Sequence, residues 1–120
     1  SLPQWRHTMS DLKQNSRWKD LTQKEWRREL HALLLASDKA LERSIVVIWE
    51  QQTYTEQESG QALIEDGVGF NKFDAPLMTK YAKQLIAKTH LTTRQREKAR
   101  SVMPKYWRQL MRISKVQHGW

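Results

Sequence analysis

Helical periodicity constrains this chain more than any other feature, because apolar residues recur every three to four positions and helix breakers are scarce. The 120 residues include only four Gly and three Pro. Thr22-x-x-Glu25 and Thr92-x-x-Gln95 are capping boxes, which predict helices that open near residues 23 and 93. The spacing of the apolar residues after Thr22 places them on one helical face. The sequence therefore predicts an all-α fold.

The predicted architecture is a compact bundle of four to five helices with one Gly-containing loop at about 58–73. The first helix is expected over roughly 23–36, and Asp38 is expected to cap a second over about 39–57. Asp74 precedes a third helix that carries Pro76 in its first turn. The last helix is predicted over about 93–115, and the fifth is a short one around 9–20.

Three local features shape this prediction further. The β-branched run at 45–48 is also compatible with a strand, but the helix formers on both sides of it favour a helix. Pro104 predicts a kink or a break near 100–103, because proline removes a backbone donor and crowds the preceding turn. We expect Phe70 and Phe73 to hold the Gly-containing loop against the core.

Length and composition point to one helical domain over residues 1–120, with residues 1–9 flexible or foreign to the native chain. Of the six Trp, Trp26 is expected in the core, and Trp18 is compatible with either the core or a binding surface. The chain has no Cys, and its apolar runs are too short to cross a bilayer. We therefore expect a cytoplasmic protein without membrane contact.

Basic residues are concentrated in the C-terminal part of the chain. Residues 75–120 hold eleven Lys and Arg and one acid, Glu97, whereas residues 31–74 hold three basic and eight acidic side chains. On a helical wheel the basic residues of the last helix share one arc, from which Arg96 and Arg100 are excluded. Such a polarised face is typical of proteins that bind nucleic-acid phosphates, since neutralising phosphate releases counterions.

The predicted nucleic-acid-binding residues combine this arc with two supporting lysines and one aromatic residue. They are Lys80, Lys83, Arg94, Lys98, Lys105, Trp107, Arg108, Arg112 and Lys115. Arg outnumbers Lys five to three between 94 and 115, and the guanidinium group is the better phosphate ligand. Trp107 is positioned to stack on a base or sugar. An anionic protein partner and a merely solvated basic face remain the alternative interpretations.

No pattern in the chain indicates catalysis, a metal site or a cofactor, so we expect a non-enzymatic protein. The four His lie far apart and lack the spacing of metal ligands. The acidic residues of segment 50–74 could bind Mg²⁺ in a nuclease, but solvated acids on a helix and its following loop are the commoner case. The same segment is an alternative surface for a protein partner.

Several short motifs between Ile45 and Leu110 form a recognisable pattern. They are Gln52–Thr53 with Glu56, Gly67-Val68-Gly69-Phe70-Asn71 with Asp74–Ala75, Leu91–Thr92 with Gln95, and Lys105–Tyr106 with Gln109–Leu110. This pattern resembles small proteins and helicase-associated segments of phages and mobile elements. The resemblance implies a phage or mobile-element protein that works near DNA, located in the host cytoplasm if a phage encodes it. It favours DNA over RNA and assigns no role to any residue.

These observations lead to one functional prediction and one main alternative. The prediction is a non-enzymatic nucleic-acid-binding protein that contacts the phosphate backbone through its basic C-terminal helical face. The alternative is a small interaction factor that binds and modulates a host or viral enzyme. A helix-turn-helix arrangement of the third and fourth helices is a further possibility, although their connector lacks the usual glycine.

Overall fold

The computed structural model describes residues 16–59 and 68–119, and all regular structure in these two ranges is helical. In chain order the elements are a 3₁₀ helix at Ser16–Asp20, α1 at Gln23–Ala36, α2 at Asp38–Ser59, α3 at Ala75–Ile86, α4 at Thr93–Val102, a second 3₁₀ helix at Met103–Tyr106, and α5 at Trp107–His118. The predicted all-α bundle is confirmed. Of the short helix predicted around 9–20, residues 16–20 form the first 3₁₀ helix and the rest lie outside the described residues.

Both capping boxes form as the sequence predicts. The Thr22 hydroxyl accepts from the Glu25 amide at 3.2 Å, while the Glu25 carboxylate accepts from the Thr22 amide at 2.9 Å. These bonds lower the pKa of Glu25, and the bond from the Thr22 backbone amide has the largest effect. The reciprocal bonds of Thr92 and Gln95 measure 2.9 and 3.1 Å. Each box satisfies two backbone donors that a helix start otherwise leaves unpaired.

The other two predicted caps are different in the structure. Ser37, not Asp38, caps α2, because the Ser37 hydroxyl accepts from the Ala40 amide at 3.1 Å and Asp38 is already the first helical residue. Asp74 does precede α3, but its side chain makes no capping hydrogen bond. Both carboxylates instead bind basic side chains from the C-terminal part of the chain, Arg100 and Lys105 respectively.

The core is organised around α2, which packs against α1, α3, α4 and α5. Leu41, Ile45 and Ile48 of α2 are fully buried, which explains why its apolar residues extend beyond a single stripe. The helical interpretation of the run at 45–48 is thereby confirmed. Trp26 of α1 is buried as predicted, and Trp18 packs against it with 4.9 Å between the ring centroids. Trp18 therefore belongs to the core.

Pro104 breaks the last predicted helix into two. Helix α4 ends at Val102, the 3₁₀ helix covers Met103–Tyr106, and α5 starts at Trp107. Since proline has no N–H, an uninterrupted α-helix would lack one hydrogen bond here. His31 of α1 fixes the break through a 3.1 Å hydrogen bond from Nε2 to the Pro104 carbonyl, which requires the proton on Nε2. The junction between α4 and α5 is thus held at a defined position on α1.

Candidate nucleic-acid interface

Helix α4 separates its basic residues into an outer and an inner set. Arg94 and Lys98 lie on the exposed side of the helix, while Ala99 and Val102 are buried on the opposite side. The spacing of four residues places both outward cations on neighbouring turns of one face. Glu97 is exposed on the same side and is the single acid of this helix.

The inner arginines of α4 are neutralised by acids of α2. Arg100 binds the Asp38 carboxylate, and Arg96 lies 3.8 Å from Asp38 and 3.5 Å from Glu42. The hydrogen bond from Arg100 lowers the pKa of Asp38, with a further contribution from the charge of Arg96. Glu42 also accepts from the Leu91 amide at 3.0 Å. The prediction that Arg96 and Arg100 lie away from the outer arc is confirmed.

Helix α5 continues the exposed basic surface after the 3₁₀ break. Arg108 and Arg112 are exposed and Lys115 is half-buried, whereas Leu110 and Ile113 face the core. A 3₁₀ helix turns about 120° per residue and an α-helix about 100°, so four 3₁₀ residues add roughly 80° of rotation. The cations of α5 therefore share one face of α5. That face is rotated from the position that a single continuous helix over 93–115 would give it.

Trp107 and Lys105, at the junction of these helices, are each partly engaged inside the protein. Trp107 is half-buried against the core, and the Arg108 guanidinium lies 5.2 Å from the centroid of its ring. This cation–π contact orients Arg108 and covers part of the indole. Lys105 donates to Asp74 at 2.8 Å, although half of its side chain remains exposed.

The remaining predicted cations have no acidic partner among the side chains that the structure describes, those of residues 18–53 and 68–119. Lys80 and Lys83 are exposed on α3 and join this group. The group comprises Lys80, Lys83, Arg94, Lys98, Arg108, Arg112 and Lys115. The fold thus places acids against the inner arginines and Lys105, whereas no acid among the described side chains binds the outer cations.

A second polar cluster lies at residues 68–74, which we call the glycine loop. The Gly69 amide donates to Gln109 Oε1 at 2.8 Å, and Gln109 Nε2 donates back to the Gly69 carbonyl at 2.9 Å. Gln52 Oε1 accepts from the Phe70 amide at 2.8 Å. Tyr106 Oη accepts from the Asn71 amide at 3.0 Å. Side chains from α2, the second 3₁₀ helix and α5 therefore replace the backbone pairing that the loop lacks.

Gly69 is required at its position for two reasons. Its φ of +83° lies in the left-handed region that L side chains rarely adopt. A Cβ atom added to Gly69 would also lie 2.4 Å from Cβ of Gln52, which no real packing permits. The close approach of the loop to α2 is what lets Gln52 reach the Phe70 amide.

Asp74 is the acidic member of this cluster. Its carboxylate is 11% exposed and accepts from Lys105 Nζ at 2.8 Å and from Tyr106 Oη at 2.6 Å. Burial raises the pKa of Asp74, but the hydrogen bonds from Lys105 and Tyr106 outweigh it and the net pKa lies below the usual range. Burial and the neighbouring carboxylate raise the pKa of Tyr106, which stays a neutral donor. The Asp74 carboxylate is therefore held as an anion by two donors.

The two aromatic residues of the glycine loop have opposite environments. Phe70 is fully buried and packs edge-on against Tyr106 with 5.3 Å between the ring centroids. Phe73 is 94% exposed. The prediction that both rings hold the loop against the core is correct for Phe70 and wrong for Phe73, because hydrogen bonds to Gln52, Gln109 and Tyr106 hold the loop instead.

Three of the four sequence motifs quoted above meet in this cluster, which spacing alone did not reveal; Leu91–Thr92 with Gln95 lies outside it. Its members are Gln52, Gly69, Asn71, Asp74, Lys105, Tyr106 and Gln109. Except for Gly69, which takes part through its backbone, each contributes a polar or charged side chain to contacts of a loop that lacks regular backbone pairing. The backbone amides of a loop without regular pairing need hydrogen-bond acceptors, and this requirement is the signal that could have grouped these residues. In the structure these residues serve internal contacts.

Comparison with known proteins adds no further information on function, since no family model, curated protein or solved structure matches this chain. Within the described part of the chain, no three His, Asp or Glu side chains are grouped so that they could hold a metal ion. None of the helices described there has the length and apolar character needed to span a bilayer. The functional proposal below therefore depends on the geometry of the charged surface.

Proposed function

We propose that this protein binds nucleic acid, with DNA preferred, through the outer surface of α4, the second 3₁₀ helix and α5, and that it catalyses no reaction. The basic face is defined as Arg94, Lys98, Lys105, Arg108, Arg112 and Lys115. The observation that carries the proposal is the separation of charges on α4. Two inward arginines bind acids of α2, while the outward cations face solvent without an acidic partner among the described residues.

Phosphate is the ligand that suits such a surface. Each cation that neutralises a phosphate releases condensed counterions, which gives affinity without contacts to base edges. The guanidinium groups of Arg94, Arg108 and Arg112 can each donate two parallel hydrogen bonds to phosphate oxygens. Phosphate contacts position a protein on nucleic acid, and base contacts specify a sequence. The proposed activity is therefore general affinity with little sequence preference.

Three further residues extend the proposed interface. Lys80 and Lys83 on α3 would add phosphate contacts, and the uncovered part of Trp107 would contact a sugar or base. The proposal includes a phage or mobile-element origin and a cytoplasmic location, where DNA is accessible.

The test is binding of fluorescent single-stranded and double-stranded DNA and RNA of mixed sequence, measured by anisotropy at several salt concentrations. Six engaged cations would give a slope of log affinity against log salt of about −5 on duplex DNA and about −4 on single strands. In the variant Arg108→Gln/Arg112→Gln the slope on duplex DNA should become shallower by about 2. Both arginines are exposed, so the fold should remain intact.

A matched control separates the basic face from net charge. Arg27 and Arg28 are exposed on α1, outside the basic face, and Arg27→Gln/Arg28→Gln removes the same charge. This control should retain the wild-type slope. Equal losses in the two double variants would attribute binding to net charge alone. If the wild type binds no nucleic acid at low salt, the proposal is wrong, and a protein partner for the same cations becomes the next hypothesis.

A further inference from the structure

Phe73 is the most exposed large apolar side chain in the described part of the protein. Its side chain is 94% exposed, compared with 66% for Val116 and 61% for Leu35. Both of those lie on helices, whereas Phe73 projects from the glycine loop just before α3. The ring contributes nothing to the core, since Phe70 fills that role three residues earlier.

The backbone that carries Phe73 is held on both sides. On one side the Asn71 amide donates to Tyr106 Oη at 3.0 Å, and Asn71 Oδ1 accepts from the Asp74 amide at 2.9 Å. On the other side the Asp74 carboxylate binds Lys105 and Tyr106. Because the backbone on both sides of Phe73 is anchored, a ligand would have to order only the side chain of Phe73 and not the loop. This lowers the entropic cost of a contact with Phe73.

Phe73 also lies next to the basic face. It is bonded to Asp74, whose carboxylate is 2.8 Å from Lys105 Nζ, and Lys105 belongs to the segment that joins α4 to α5. Lys72, its other chain neighbour, is exposed and has no acidic partner among the described side chains of residues 18–53 and 68–119. A flat apolar ring beside two lysines offers stacking and phosphate contact at the same place.

We propose that Phe73 is a base-stacking residue that makes single-stranded DNA the preferred ligand of the basic face. The proposal rests on nucleic-acid binding as proposed above. An unpaired base presents its π face to an exposed ring, whereas the bases of a duplex are already stacked on one another. Stacking on Phe73 would therefore add affinity for single strands and none for duplexes.

Phe73→Ala is the test, with Phe73→Trp and Phe73→Leu as matched variants. Phe73→Ala should weaken binding to single-stranded DNA on the order of five- to 150-fold. Duplex affinity and the salt slope should stay unchanged, because no charge is removed. Phe73→Trp should retain single-strand affinity, while Phe73→Leu, which keeps an apolar side chain without a π face, should behave like Phe73→Ala. Circular dichroism should show an unchanged fold, since the ring is outside the core.

An abasic strand separates stacking from other causes. A deoxyribose-phosphate oligonucleotide of the same length keeps every charge and lacks bases, so wild type and Phe73→Ala should bind it equally. Equal affinity of the two proteins for ordinary single-stranded DNA, with the wild type still binding, would overturn the role of Phe73 and leave phosphate binding intact. Absence of any binding by the wild type would overturn both proposals together.

Discussion

The glycine loop and the basic face use polar side chains in opposite ways. In the loop, each amide from Gly69 to Asn71 donates to a side chain of another element, and the Asp74 carboxylate has two donors. On the basic face, most cations have no partner among the described residues. Hydrogen bonds that are complete inside the protein stabilise the fold, while cations that lack internal partners are available to a ligand.

This difference makes the two regions experimentally separable. Substitutions of glycine-loop residues that make internal contacts, such as Gly69, should change the free energy of unfolding and leave the salt slope of binding unchanged. Substitutions on the basic face should do the reverse. Asp74 and Lys105 connect the two regions through their ion pair. Substitution of either residue should therefore change both the free energy of unfolding and the binding of DNA.

Gly69→Ala should have the largest effect on stability. The new Cβ would combine an unfavourable positive φ with a clash against Gln52, and we expect a loss of about 2–5 kcal/mol in the free energy of unfolding. Native proteins are stable by only about 5–15 kcal/mol, so this is a large fraction. Urea unfolding followed by Trp fluorescence would measure it, since Trp18 and Trp26 are buried.

Gly119→Ala is the matched control for the clash. Gly119 also has a positive φ, +71°, but nothing lies within 4 Å of the position that a Cβ atom would take there, so the substitution adds only backbone strain. We expect a loss of about 1–2 kcal/mol at this helix end, from the backbone strain alone. If the two substitutions cost the same, the close approach of Gly69 to Gln52 would carry no energetic weight.

Asp74→Asn should have the next largest effect and should depend on pH. The substitution removes the charge that binds Lys105 and Tyr106, and we expect a loss of about 1–3 kcal/mol at neutral pH. Because the folded-state pKa of Asp74 lies below its usual value, the stabilisation is present above the unfolded-state pKa, about 4, and is lost as pH falls through the folded-state value. Unfolding curves of wild type and variant should therefore converge below about pH 4.

A constant difference between these two proteins from neutral pH down to about pH 2 would contradict this prediction, because a loss caused by packing does not titrate. The carboxylate of Asp38 also has a lowered pKa, but it is present in both proteins and cancels in the comparison. Asp74→Asn also releases Lys105 from its ion pair, so DNA binding by the variant should be retained or strengthened.

Local chemistry explains which parts of the fold the sequence predicted well. A capping box involves residues three positions apart, so Thr22 and Thr92 located both helix starts correctly. A kink or a break at Pro104 was predicted because a missing donor affects only its own turn, and the structure shows a break. Ser37 and Asp38 are adjacent and both suit an N-cap, and a long-range partner, Arg100, decided which of them caps α2.

Contacts that are distant in the sequence explain the rest. Phe70 and Phe73 have the same side chain in the same loop, and the contact of Phe70 with Tyr106 decided which ring is buried. Gln109 reaches Gly69 across 40 residues, a separation at which periodicity gives no information. The inner and outer sides of α4 followed from the wheel, whereas the acids that neutralise Arg96 and Arg100 became visible only when α2 was placed beside them.

The smallest effects are expected from single Arg→Gln substitutions on the two sides of α4. Arg94→Gln and Arg100→Gln each remove one guanidinium from α4, on its outer and inner side respectively. Arg94 lies in the first turn, where the helix dipole disfavours a cation, so its removal should leave the melting temperature equal or slightly higher. Arg100 lies in the last turn and binds Asp38, so its removal should lower the melting temperature by a few degrees or less.

DNA binding should respond in the opposite order. Arg94→Gln should reduce the salt slope on duplex DNA by about 0.9, which corresponds to one phosphate contact, and Arg100→Gln should leave it unchanged. Anisotropy titrations of both variants at matched salt concentrations would measure this. Equal slopes in the two variants would mean that the ion pairs between α4 and α2 do not decide which arginines meet DNA. The same Arg→Gln change on the two sides of α4 should therefore have different effects: on the outer side it changes binding, and on the inner side it changes stability. This pattern is expected only if the inner arginines stabilise the fold and the outer arginines bind the ligand.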